Sequence, residues 1–283
     1  MRIFLILGLL FFSIHAKSLF SNDDQANNAK YINSLKDLLI ATQKTRGLTN
    51  SYLNGNESAL LLIHGNQRDM RIAIGVMESL PLASNPIVLD RATNISQALV
   101  QLNNKALKLD PNVSFDGYTE QIEQTLMLAQ TISKQGSENL NTLGKEASVL
   151  MMETILPLTE QIGKMRGMGS GIIAKGSIKN DQKFAIMAML GEIEDLKSKL
   201  QTQMNSILLQ NKSKYDANIE NNLLLAQKSI LTYADITRTK VLSDSSSLNP
   251  DDYFTQGTDI ISTLINIFDS NNKAIMADSK GWI

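Results

Sequence analysis

The chain has 283 residues, with 27 Lys plus Arg against 28 Asp plus Glu and a formal net charge of −1. That balance excludes the clustered basic surplus of a nucleic-acid surface, while 43% apolar residues supply material for a substantial core. Five prolines and 5% aromatics argue against a β-sandwich or barrel; no cysteine and only two histidines, His15 and His64, remove disulfides, thiolate zinc sites and cysteine nucleophiles.

Residues 1–16 read as a secretory signal. Arg2 supplies a one-charge start, Ile3 to Phe12 form an apolar run broken only by Gly8, and Ala16 is a small residue at the expected cleavage point. The run is shorter than the ~20 residues that span a bilayer. Cleavage there would leave His64 as the sole histidine. The expectation is an exported, periplasmic protein; the competing reading is an uncleaved anchor, since Ile14 is not the small residue such sites favour.

From Asp23 onward apolar residues recur every three or four positions, a helical pattern nearly throughout. The spacing predicts helices at about 24–54, 56–81, 86–109, 115–135, 138–174, 178–211, 214–242 and 251–279. Pro81 and Pro86 bracket a loop. Asp110-Pro111-Asn112 and Asn249-Pro250-Asp251 are turn chemistry, with Asp251 and Asp252 suited to a helix start.

An internal repeat appears at an offset of 120. Leu35, Leu38 and Thr42 align with Ile155, Leu158 and Ile162; Arg46-Gly47-Leu48 aligns with Arg166-Gly167-Met168; Gly55 and Gly176 end the two segments. Tyr118-Thr119 and Phe254-Thr255 give a second match at an offset of 136. The expected fold is all-α: two side-by-side four-helix bundles from an internal duplication, residues 17–136 and 137–283, together one domain.

Arg46 lies in line with Leu35, Leu39, Thr42 and Leu53, and Arg166 with Leu158, Ile162 and Ile173, so both border a buried stripe. A buried guanidinium needs a carboxylate, carbonyls or a bound anion. Gly47 and Gly167 follow directly, and a mid-helix Gly makes sense where another backbone or small ligand comes close. If the halves pack about a pseudo-twofold axis, the two guanidiniums could converge on one planar oxyanion. Otherwise each Arg is tied to an internal carboxylate.

The run Gln43-Lys44-Thr45-Arg46-Gly47-Leu48-Thr49-Asn50-Ser51-Tyr52-Leu53 resembles the opening motif of the nitrate- and nitrite-sensing (NIT) domain, and Gly163-Lys164-Met165-Arg166-Gly167 fits its second element. That resemblance implies an all-helical pair of four-helix bundles, as found in bacterial receptors and regulators, binding nitrate or nitrite through arginines near the bundle interface. Thr45 and Met165 stand where the family usually has Glu. Arg46 and Arg166 are the candidate ligand residues, with Gly47 and Gly167 as close-packing support.

Other features carry less. His64 reads as a helix-end residue. Met151, Met152, Met165, Met168, Met187 and Met189 read as pliable core filling. Gly167-Met168-Gly169-Ser170-Gly171 lacks the Lys-Ser/Thr of a P-loop, and no catalytic set or cofactor motif is visible. Trp282 is unexplained. The function expected is a periplasmic anion sensor that signals through a membrane receptor or sensor kinase with a periplasmic domain. The expectation is a protein without enzyme activity and without a nucleic-acid partner, with a homodimer left open. The alternative is a helical adaptor that binds no ligand.

Overall fold

The computed structural model describes residues 22–138, 140–245 and 247–280, so the signal segment and Trp282 lie outside the described residues. The described chain is all-helical, with no strand. Its α-helices are α1 Asn22–Leu53, α2 Ala59–Ser79, α3 Pro86–Lys105, α4 Pro111–Ser137, α5 Thr142–Leu150, α6 Leu156–Lys175, α7 Asn180–Asn211, α8 Ile219–Ile236 and α9 Pro250–Lys280. A π turn, Met151–Ile155, joins α5 to α6. Pro157, at the start of α6, lacks the N–H that an unbroken α-helix would bond there, which fits the change of hydrogen-bond pattern just before it.

Local chemistry sets the ends. α3, α4 and α9 each begin with Pro after Asn85, Asp110 or Asn249, whose side chains accept from the backbone N–H two residues on. The Asp110 cap is why α4 starts at Pro111 rather than near residue 115. Gly55 and Gly176 have positive φ, 112° and 68°, and Gly176 closes α6 as its left-handed cap.

α1 packs on α2 and α4, and α3 on α2 and α4. In the second half α6 packs on α7 and α9, and α8 on α7 and α9. The two groups meet chiefly along α1 and α6. That position changes how these two helices must be read. Residues such as Gln43, Thr45, Asn50 and Ser51 look like a wet face in the sequence, yet all are buried. The middle of α1 and most of α6 have neighbours all round, so small polar groups satisfy one another. Asn50 Nδ2 donates to the Gly167 carbonyl at 2.9 Å, Ser170 to Ser51 Oγ at 2.9 Å, and Thr42 and Thr45 to carbonyls of their own helix.

The apolar interior runs through both halves as one cluster, with Leu35, Leu38, Ile155, Leu158, Leu264 and Phe268 fully buried. Each such side chain contributes roughly 1.5–3 kcal/mol of burial. Met151, Met152 and Met165 belong to this core, whereas Met187 is exposed on α7. His64 is exposed within α2 rather than at a helix end. No helix among the described residues is long and apolar enough to cross a membrane.

Candidate functional site

α1 and α6 cross with Gly47 against Gly167. A Cβ on Gly167 would lie 2.9 Å from the Gly47 Cα. This close approach puts Arg46 and Arg166, each one residue earlier, near the seam between the halves. Both are fully buried, at 0% and 2% exposure.

Each guanidinium lies over an aromatic ring and donates to a threonine. Arg46 sits 4.8 Å from the centre of the Phe115 ring and donates from Nη1 to Thr119 Oγ1 at 3.0 Å. Arg166 sits 4.4 Å from the Phe254 ring centre and donates from Nη1 to Thr258 Oγ1 at 2.8 Å. Thr119 and Thr258 donate in turn to the carbonyls of Phe115 and Phe254, one helical turn back. The recurring unit is therefore Phe-x-x-x-Thr, at an offset of 139. The match of Tyr118-Thr119 to Phe254-Thr255 in the sequence was out of register by three residues. The correct register has a physical signal: positions four apart share a helix face, so ring and hydroxyl can serve one guanidinium together.

Beyond this shared frame the arginines differ. Arg46 is held bidentately by Glu160, with Nη1 to Oε1 at 2.7 Å and Nη2 to Oε2 at 3.2 Å. Gln43 Nε2 also donates to Glu160 Oε2, at 2.9 Å. At the rim, Lys164 Nζ lies 3.7 Å from Glu160 and 3.2 Å from Glu123. Arg166 has no carboxylate within ion-pair distance among the described residues; the buried Nε of each arginine has no acceptor. The Tyr233 hydroxyl, also buried, makes no hydrogen bond of good geometry. It flanks Gly257 together with the Arg166 stem, since a Cβ on Gly257 would meet both, at 2.8 Å and 3.0 Å. Burial lowers the Arg166 pKa to about 10; Tyr233 pulls the other way, Arg46 lowers it further and Glu160 opposes.

The two arginines thus have the same frame and opposite charge environments. Arg46 follows the internal-tie reading, through a carboxylate 114 residues away that the sequence did not single out. Arg166 is a desolvated cation with no carboxylate in ion-pair contact among the described residues and only the more distant Glu160 acting on it, the arrangement that attracts an anion.

The family model described as nitrate and nitrite sensing matches residues 37–276, most of the chain. The chain belongs to this nitrate and nitrite sensing family. The match spans both arginines and both Phe-x-x-x-Thr units. A comparison with curated proteins found no match. The fold of this family member is similar to the solved structure of the NasR transcription antiterminator, with a TM-score of 0.63 and 11% identity, over 92% of this chain and 71% of that one. At that identity the likeness concerns the fold.

Asp251 and Asp252 occupy the first turn of α9, as their sequence context suggested. Asp251 also accepts from Asn56 Nδ2 at 2.6 Å and Ser58 Oγ at 2.7 Å, tying the α1–α2 loop to the helix that carries Phe254 and Thr258. Among the described residues no group of His, Cys, Asp and Glu could hold a metal ion.

Proposed function

We propose that the chain is a periplasmic sensor that binds nitrate or nitrite at the α1–α6 seam, with Arg166 as the principal ligand residue and Arg46 acting beside it. The observation that carries this reading is the burial of Arg166 without a carboxylate partner among the described residues. A planar oxyanion matches the guanidinium fork, and Thr258 already orients one end of it. Gly47 and Gly167 support the site by letting α1 and α6 approach. Residues 17–136 and 137–283 act in this reading as two copies of one unit that together form the sensor.

The N-terminal apolar run and small residue at Ala16 support export. The near-neutral charge favours a protein partner over nucleic acid, and the reading assigns the output to a membrane receptor or sensor kinase. The Arg46–Glu160 tie favours the rival, a ligand-free helical adaptor, for one half of the site. Thermal unfolding with nitrate, nitrite and a chloride control decides between them. Ligand at 100 times its dissociation constant adds ~2.7 kcal/mol to a native state that binds it. An adaptor shows the same shift with all three salts.

A further inference from the structure

The asymmetry of the two arginines carries a statement about selectivity. Four charged residues are buried to below a tenth exposure among the described residues: Lys36, Arg46, Glu160 and Arg166. Lys36 is paired with Asp269 of α9 at 2.8 Å and so is neutralised, ten residues along α1 from Arg46. The seam therefore encloses two guanidiniums and one carboxylate, a net charge of +1. Lys164 and Glu123 offset each other at its rim.

Glu160 is bound in the way a planar anion would be. Its two oxygens lie on the Arg46 fork at 2.7 and 3.2 Å, and the Gln43 amide donates to one of them. The second half of the repeat has no equivalent. The residue 120 positions before Glu160 is Ile40, and the residue 120 after Gln43 is Gly163. The carboxylate and the amide that serve Arg46 are thus absent from the corresponding places for Arg166.

We propose that Glu160 is a tethered internal anion that fills the Arg46 fork, so that the paired-arginine seam takes a single monovalent anion, at Arg166, and discriminates against divalent ones. This rests on the reading that Arg166 holds the anion. A monovalent ligand brings the enclosed charge to zero. Sulfate would leave a buried −1, which a water-excluded site resists. Glu160 acts here as a specificity-determining residue.

The test is calorimetric titration of the full chain with nitrate and with sulfate, at matched ionic strength. The wild-type protein binds one nitrate per chain, and sulfate binds at least ~10-fold more weakly, the ratio for ~1.4 kcal/mol. Glu160→Gln keeps the shape and raises the enclosed charge to +2. It binds a second nitrate or reverses the sulfate discrimination. The double variant Arg46→Met with Glu160→Met removes the pair and keeps the charge at +1. It binds a single nitrate, more weakly for want of Arg46 at the seam, and keeps the wild-type preference for nitrate over sulfate, and it decides the matter if Glu160→Gln fails to fold. Wild-type binding of one nitrate with unchanged stoichiometry and selectivity in Glu160→Gln overturns the inference. So does a folded double variant whose preference for nitrate over sulfate is lost. A wild-type protein that binds no nitrate overturns the sensor reading itself, and the inference with it.

Discussion

Gly47 and Gly167 stand face to face where α1 crosses α6: a Cβ on Gly167 would lie 2.9 Å from the Gly47 Cα, and one on Gly47 would lie 3.2 Å from the Gly167 Cα. Backbone cannot yield as a flexible side chain does. The Cβ on Gly167 would also press on the Phe115 ring at 3.0 Å, and that ring lies under Arg46.

Gly167→Ala should therefore destabilise the protein by roughly 1–3 kcal/mol, as overpacking does. It should also weaken nitrate binding by spreading the seam. Gly191, on α7, has open space where its Cβ would be. Gly191→Ala should instead stabilise by roughly 0.5–1 kcal/mol, the helix-propensity gain alone. Urea unfolding of both variants checks the contrast; equal effects would remove the close-approach explanation.

The arginines should respond in opposite directions when replaced by a residue of similar length. Arg46→Met strands Glu160, which is 4% exposed, and should cost about 3–5 kcal/mol. Arg166→Met strands nothing. Removing the desolvated charge, which burial disfavours, is a gain, while losing the Thr258 bond and the Phe254 contact offsets roughly 1–2 kcal/mol of it. The ligand-free variant should be at least as stable as wild type and should no longer shift with nitrate. Denaturant melts without and with nitrate measure both quantities. Destabilisation by Arg166→Met would show an unseen partner for that guanidinium.

Nitrate affinity should depend on pH only at the alkaline end. With its folded pKa lowered from the usual guanidinium range to about 10, the native state holds fewer protons than the unfolded chain from about pH 10 up to that range. The contribution of Arg166 to stability is therefore fully present only where the unfolded guanidinium too has lost its proton, and is lost as pH falls through about 10. A bound anion favours the charged form and opposes that shift. Affinity should be flat between about pH 7 and 9 and fall above about pH 10. Buried Tyr118 and Tyr253, raised to about 12, stay neutral over that range. Titrations across the range check this; a loss of affinity near pH 7 would point to another group.

Export should leave a mature N-terminus close to Lys17. Mass spectrometry of the protein isolated from its native source reads this directly. A full-length species in the membrane fraction would identify the apolar run as an anchor.

Much of the fold is local chemistry and so is readable from the chain: the helical periodicity, the Asn-Pro and Asp-Pro starts of α3, α4 and α9, and the stops at Gly55 and Gly176. The alignment of Arg46-Gly47 with Arg166-Gly167 is of the same kind, because an offset of 120 needs no coordinates. What depended on tertiary structure were the relations between residues far apart. Periodicity reports the strongest apolar face of a helix but not how many neighbours surround it, so the all-round burial of α1 and α6 was invisible. Glu160 is one polar residue among many in sequence, and only the α1–α6 crossing brings it to Arg46. The same crossing leaves Arg166 without such a partner among the described residues. That difference between two otherwise matched arginines arises because a desolvated charge is balanced by whatever the fold brings within a few ångströms, which neighbours in sequence do not determine.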